Sequence, residues 1–262
     1  MKDKISITIE ESVLKDIDSV VDNLFIRNRS QAIEHLVKEA LGENKIAAIL
    51  CGGSADELKI SKTEYRPTAM VSGKSVIERA IRKLRDNGFR KIFIIARKDV
   101  LTAIFEILRD GSSYAIKIEY IEEKNAKGTA DSLRLLKGKI NTLFFVAYGD
   151  ILFDNIDIEA IWHEQLVSKK VATLMLTTSA KPSTKGNVIL EGNKILKFVQ
   201  KPKKSEMYIV FSPLFAAEPQ IFDYLGKSLE EDVFPKLAEN GLLAGRISAE
   251  HEKHVHSKKD LT

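Results

Sequence analysis

The sequence predicts an α/β protein in two parts, a short strand-helix-helix unit followed by a doubly wound, mostly parallel sheet covered by helices. Two patterns carry this. From residue 45 onward, apolar runs near 45–51, 91–96, 115–120, 142–148 and 170–177 alternate with helically spaced segments near 74–87, 98–110, 129–137 and 156–168. A repeated β-α order places successive strands parallel, with right-handed crossovers and helices on both faces. Before residue 45 the texture differs: Lys4 to Ile9 alternate strictly, and two amphipathic helical stretches follow.

In the first part, Ile5, Ile7 and Ile9 share one face of the predicted strand and Lys4, Ser6 and Thr8 the other. Glu10, Glu11 and Ser12 open a helix whose apolar positions run from Val13 to Leu24. After the polar turn Arg27-Asn28-Arg29-Ser30, a second helix carries Ala32, Ile33, Leu36, Val37, Ala40 and Leu41, and Gly42 suits its end. Residues 1–43 are too few to be stable alone, and a lone strand has unpaired edges, so two copies are expected to pair their strands across a two-fold axis. The second domain spans 45–262, and past residue 180 its pattern turns to short, Gly- and Pro-punctuated strands, an antiparallel extension.

The chain has 262 residues, 44% of them hydrophobic, enough for a substantial core. A net charge of +4 with both signs interspersed does not by itself demand a polyanionic partner. A single cysteine, Cys51, excludes an internal disulfide and reads as a small core residue. No apolar run is long enough to span a bilayer and no secretory signal is present, so a cytoplasmic protein with no membrane partner is expected.

The alternating strand, "EESVL" and "NRSQAIEHLVKEAL" together resemble the ribbon-helix-helix repressors of the Arc and MetJ class over residues 3 to 41. The resemblance implies that paired strands enter the major groove of double-stranded DNA with Lys4, Ser6 and Thr8 outward. Asn28, Arg29 and Ser30, at the start of the second helix, would hold a backbone phosphate. The plain alternative is a solvated strand face and surface turn residues, with the unit serving only to dimerise the chain.

From residue 45 the segments "LCGGSADEL", "YRPTAMVSGKSVIERAI", "KGTADSL", "AYGDILF", "KFVQKP" and "EEDVFPKL" resemble, in order and spacing, the sugar-phosphate nucleotidyltransferases, a Rossmann-like fold. The resemblance implies in-line attack of a sugar 1-phosphate on the α-phosphate of a nucleoside triphosphate, with Mg²⁺ and basic side chains neutralising charge. It assigns Gly52, Gly53, Gly128, Thr129 and Asp150 to the nucleotide, with Asp150 as a metal ligand, and Arg66 and Lys201 to phosphate or sugar.

Several family positions depart. Glu57 stands at the triphosphate-binding arginine, with Asp56 before it and Ala55 at a pattern glycine; Arg66 stands at a lysine; His254 replaces the second metal-binding aspartate; and Gln200 and Pro213 replace a carboxylate and a glycine. A negative loop at a polyphosphate site turns attraction into repulsion. The expectation from this reading is a homodimeric or larger DNA-binding transcription regulator whose nucleotidyltransferase-like domain senses a nucleotide, nucleotide sugar or sugar phosphate without turnover and needs no certain cofactor. The alternative is an active, Mg²⁺-dependent sugar-1-phosphate nucleotidyltransferase whose amino-terminal domain dimerises it or regulates its own gene. A metal role for His251, His254 and His256 is weighed against a solvated terminal segment, and Trp162 and His163 are expected to pack.

Overall fold

The computed structural model describes residues 5–22, 26–41, 45–61, 64–125 and 127–261. The chain divides into two compact units, Met1–Asn44 and Lys45–Thr262.

The first unit contains helices α1 (Glu11–Ser19) and α2 (Arg29–Leu41). Ile17 and Ala32 are buried in it. The side chain of Asn28 accepts a hydrogen bond from the Gln31 N–H at 3.0 Å and so caps α2, while Gln31 Oε1 accepts from the Arg27 N–H at 2.7 Å. Arg29 grips Asp18 through Nε at 2.5 Å and Nη2 at 2.7 Å, a bidentate pair joining the two helices. Asn28 and Arg29, expected to hold a DNA phosphate, therefore have partners within the chain.

The strand expected over 4–9 does not form: residues 5–10 adopt neither strand nor helix, and Lys4 lies outside the described residues. The physical reason is the one the sequence raises, since a strand is held by hydrogen bonds to a neighbour and this segment has none among the described residues of its own chain. Helix α1 also ends earlier than its apolar spacing implies, at Ser19, where the Val20 and Val21 N–H groups bond to carbonyls three residues back and tighten the last turn.

Among the described residues the second unit is built on a nine-stranded sheet. In chain order its elements are β1 (Lys45–Leu50), the single turn α3 (Ala55–Leu58), α4 (Val76–Asp86), β2 (Phe89–Ala96), α5 (Lys98–Leu108), β3 (Lys117–Glu122), α6 (Thr129–Arg134), β4 (Phe144–Tyr148), α7 (Ile158–Ser168), β5 (Ala172–Thr178), β6 (Gly186–Glu191), β7 (Lys194–Gln200), β8 (Ile209–Ala217), α8 (Phe234–Glu239) and β9 (Leu243–Ile247). The sheet order is β3-β2-β1-β4-β8-β5-β9-β7-β6. Strands β3, β2, β1 and β4 are mutually parallel, β8 runs antiparallel to β4 and β5, and β6 and β7 form a hairpin. The parallel half and the later antiparallel extension match the patterns read from the sequence.

Alternate side chains of each strand feed opposite layers, as the two-residue period requires. Ile49, Ile92, Ile94 and Phe145 pack on one face with Ile77 and Ile81 of α4, Ile104 of α5 and Trp162 of α7. Ala48, Phe93, Ile95, Phe144 and Val146 pack on the other with Leu133 of α6 and Phe234 and Leu237 of α8. Trp162 meets Phe89 edge-on with ring centroids 5.4 Å apart, and Lys45 Nζ lies over the Trp162 ring at 5.2 Å. His163, expected to pack, is exposed instead. Among the described residues no helix is long and apolar enough to cross a membrane.

Candidate active site

The loops at the carboxyl ends of the parallel strands are pinned to one another by continuations of the ladder. The N–H of Cys51 donates to the Ile95 carbonyl, that of Glu123 to Ala96 and that of Gly149 to Leu50, each at 2.8 Å. This edge of an open α/β sheet is where such folds place ligands. Here β1 runs into Gly52 and Gly53, and Gly53 has a φ of +123°, a conformation that disfavours any side chain. A Cβ at Gly52 would stand 2.5 Å from Glu123 Oε2, and one at Gly128 would stand 2.5 Å from the Lys227 carbonyl oxygen. These two glycines let a carboxylate and a loop backbone close in on the crevice.

The crevice is a cavity of about 760 Å³ lined by the Gly52-Gly53-Ser54 turn, Gly128 and Thr129 at the start of α6, and Gly149-Asp150 beyond β4. Its charged lining is Arg66, Arg97 and Lys127 against Glu123 and Asp150. Arg66 Nη1 lies 3.3 Å from Asp150 Oδ2, and Arg66 Nε is buried without a hydrogen-bond partner among the described residues. A donor left in that condition is costly unless a ligand supplies the acceptor.

A second cavity of about 510 Å³ adjoins it and shares Tyr148 and Asp150 with the first. Its cations are Lys185 and Lys201, with His254 and His256 beside them. The His254 and His256 rings stack with centroids 5.3 Å apart, and His256 Nδ1 is 3.9 Å from Asp150 Oδ2. Burial lowers the His256 pKa against the opposing pull of Asp150, so the ring favours its neutral form. Lys201 has a φ of +44°, an uncommon conformation that a lysine before proline adopts only when its surroundings hold it there.

Two buried carboxylates brace the walls. Glu230 accepts from the Tyr148 hydroxyl, from Thr129 Oγ1 at 2.7 Å and from Ser228 Oγ at 2.9 Å. Burial, and next the nearby Glu230 charge, pushes the Tyr148 pKa well up, which keeps its proton on that bond. Glu252 accepts from Lys185 Nζ and Ser212 Oγ, both at 2.6 Å, and lies 3.1 Å from His254 Nε2. Burial opposes its charge, but the bonds from His254, Lys185 and Ser212 prevail and hold its pKa down at about 2.

The structure brings Gly52, Gly53, Arg66, Gly128, Thr129 and Asp150 into the first cavity and Lys201 and His254 into the second. Thr129 is more committed than the motif suggests, because its hydroxyl also accepts from the Leu229 N–H at 2.8 Å. The expected repulsive loop is corrected at Asp56. That side chain is 91% exposed, is paired with Lys59 at 2.9 Å and is not part of the cavity wall; the Glu57 side chain lies outside the described residues. His254 has the Glu252 carboxylate beside it, wholly buried and closed off by its own donors. Cys51 is buried, and burial raises its pKa, so it is no thiolate nucleophile.

Sequence reasoning missed Arg97, Lys127 and Glu123 in the first cavity and Lys185 in the second. Arg97 and Glu123 each immediately follow a parallel strand, so the rule placing ligands at carboxyl strand ends was the available signal. Among the described residues no group of three or more His, Cys, Asp or Glu side chains is arranged to hold a metal ion. Asp150 alone suits a divalent cation that brings its own phosphate oxygens and waters, the usual coordination of Mg²⁺.

The family model "Nucleotidyl transferase" matches residues 46–253. The chain belongs to the nucleotidyl transferase family. It is 29% identical over 211 residues to the bifunctional protein GlmU of Methanococcus maripaludis, covering 76% of this chain and 48% of that one. Over 195 residues it is 25% identical to a Sulfolobus acidocaldarius protein provisionally named mannose-1-phosphate guanyltransferase, covering 73% of this chain and 54% of that protein. The chain thus spans about half the length of the curated relatives it matches. Its fold superposes on a solved Bacillus anthracis structure, provisionally named glucose-1-phosphate thymidylyltransferase, with a TM-score of 0.75 and 21% identity, covering 83% of this chain and 92% of the other. For this nucleotidyl transferase family member, the resemblance read over the second unit is thereby shown, while the ribbon-helix-helix resemblance finds no counterpart among these matches.

Proposed function

We propose that the second unit is an active sugar-1-phosphate nucleotidyltransferase, joining a nucleoside triphosphate to a sugar 1-phosphate and releasing pyrophosphate. The observation that carries the reading is the meeting of two cation-bearing cavities at Tyr148 and Asp150. One cavity takes the nucleotide and the other the sugar phosphate, so the two anions abut at a single carboxylate. The relatives' names support the same reading.

In the reaction a phosphate oxygen of the sugar 1-phosphate forms the new bond to the α-phosphorus, and the bond from that phosphorus to the bridging oxygen of pyrophosphate breaks. No proton transfer is needed between two phosphate anions, so the chain's work is positioning and charge neutralisation. Arg66 offers its buried Nε–H to a triphosphate oxygen, and Arg97 and Lys127 add charge at the rim. Lys201 faces the sugar phosphate, and Lys185, held by Glu252, adds positive potential without wandering. Asp150 would hold the divalent ion carried by the triphosphate, which when bound neutralises and polarises the phosphates. Pyrophosphate release, measured over a panel of nucleoside triphosphates and sugar 1-phosphates with Mg²⁺, is expected at about 1–10³ per second. No release above a protein-free control with any pair would reject the reading.

A second reading concerns residues 1–44 and rests on exposed apolar side chains that one copy leaves uncovered: Ile5 is 76% exposed and Ile7 54%. We infer that two copies pair these segments as a ribbon and that the pair binds double-stranded DNA through Lys4, Ser6 and Thr8. The intact chain is expected to be at least a dimer by sedimentation and to retain duplex DNA on a filter with affinity falling about 0.9 log unit per log unit of salt for each phosphate neutralised. A monomer retaining no DNA at low salt would remove this reading and leave the enzyme untouched.

A further inference from the structure

The substrate crevice lies at the carboxyl ends of the parallel strands, and the opposite edge of the sheet carries a separate cavity. β8 runs antiparallel to β4 and β5, and its last residue, Ala217, pairs with the first residue of each, Phe144 and Ala172. Beyond that row lies a cavity of about 350 Å³, walled by the end of α7, the turn Lys169-Lys170-Val171 and Glu218. The length of β4, five residues or about 16 Å, separates this edge from the one that bears Asp150.

Internal bonds hold its walls. Gln165, 1% exposed, accepts from Thr173 Oγ1 at 2.7 Å and donates to the Lys170 carbonyl at 2.6 Å. The Glu218 N–H donates to the Val171 carbonyl at 2.9 Å, so the turn is fixed from both sides. Lys169 has a φ of +52°, a left-handed conformation that a lysine adopts only at a cost. Two consecutive lysines and a carboxylate thus line one small cavity, yet among the described residues no ion pair joins Glu218 to either lysine, and neither ammonium has another partner. Glu218 is half-buried, and burial raises its pKa against the opposing contact from Gln165. A cation would relieve that carboxylate and an anion would engage the two ammonium groups, so the cavity suits a ligand that carries both.

We propose that this cavity binds a phosphorylated amine, with a phosphate monoester between Lys169 and Lys170 and a primary ammonium on Glu218. At neutral pH a monoester carries close to two negative charges, which matches two lysines, whereas a carboxylate or a phosphodiester carries one. The volume falls at the low end of the roughly 300–1,000 Å³ of ligand cavities, which restricts the occupant to a small metabolite. A free phosphorylated amine and a phospholipid headgroup share this chemistry, and they differ in being a monoester and a diester. The site is independent of the nucleotidyl-transfer reading.

The test is calorimetry on the full chain with O-phosphoethanolamine, glycerophosphoethanolamine, inorganic phosphate and ethanolamine. O-Phosphoethanolamine is expected to bind at one site per chain, roughly 10- to 100-fold tighter than inorganic phosphate or ethanolamine, the worth of one further hydrogen bond between charged groups. The diester glycerophosphoethanolamine is expected to bind more weakly than the monoester. Glu218→Gln should remove the advantage over inorganic phosphate without weakening phosphate itself, while the double variant Lys169→Ala, Lys170→Ala should weaken both. Lys201→Ala, in the sugar-phosphate cavity, should leave this binding unchanged. No binding of O-phosphoethanolamine at millimolar concentration would overturn the proposal, and equal affinity for inorganic phosphate would reduce it to an adventitious ion only. A diester bound as tightly as the monoester would overturn it in favour of a lipid headgroup, and loss of binding in Lys201→Ala would move the ligand to the substrate crevice. The wild-type comparison of monoester, diester and phosphate decides the matter even if a variant does not fold, and a negative result leaves nucleotidyl transfer standing.

Discussion

Asp150→Asn is expected to lower kcat/KM for nucleotidyl transfer by about 10²–10³-fold, the scale on which a single preorganised charge-stabilising group acts. Asp150 borders both cavities and stands at the place where the nucleotide's phosphates would meet the sugar phosphate. In the resting chain it is neutralised by Arg66 at 3.3 Å, with His256 at 3.9 Å. Its negative charge harms a bare triphosphate and helps one that arrives with a divalent cation, and these effects have opposite signs. The variant should therefore bind triphosphate in the presence of a chelator at least as tightly as wild type, while losing the gain that Mg²⁺ confers. Calorimetry with and without Mg²⁺, beside the rate assay, separates the cases. If chelator-phase binding fell as far as turnover, Asp150 would be acting only by holding Arg66 in place.

Much of this site could be read before the fold was known, and the parts that could not share a cause. Gly52, Gly53, Gly128 and Asp150 were legible because backbone constraints and strand ends leave marks in the local sequence: Gly53 needs its positive φ, and Gly128 meets the Lys227 backbone. Side-chain direction leaves no such mark. Asp56 sits inside the motif, yet it turns outward to Lys59 and adds nothing to the cavity wall. Glu123 and Arg97 come from separate strand ends and meet in the first cavity only after β3 and β2 are laid side by side, while Lys185 reaches the second cavity from the start of β6. The same distinction explains the first unit. The alternation of Ile5, Ile7 and Ile9 records a preference for a pleated surface, but a strand is a property of a pair, and among the described residues of one chain that segment finds no pair. Periodicity reports which face of an element is apolar; what covers that face is decided elsewhere.

Glu252→Ala is expected to cost about 3–5 kcal/mol of stability near neutral pH, because Lys185 and Ser212 lose the acceptor around which they are organised. The milder Glu252→Gln isolates the charge and carries a pH signature. In the folded chain the Glu252 pKa is about 2, against an ordinary glutamate value of 4.5. A depressed carboxylate pKa contributes stability that is fully present above the unfolded value and lost as pH falls toward the folded one, since the unfolded chain takes up the proton first. The whole contribution is about 3 kcal/mol, of which about 2 kcal/mol is gone by pH 3. Urea unfolding of wild type and Glu252→Gln at pH 6, 4.5 and 3 should show the gap between them narrowing by that amount as pH falls. A gap that stayed constant would mean that Glu252 acts by packing and hydrogen bonding alone. Lys185 in the Gln variant should also hold the sugar phosphate less firmly, raising KM for that substrate more than for the nucleotide, because the cluster reaches the second cavity and not the first.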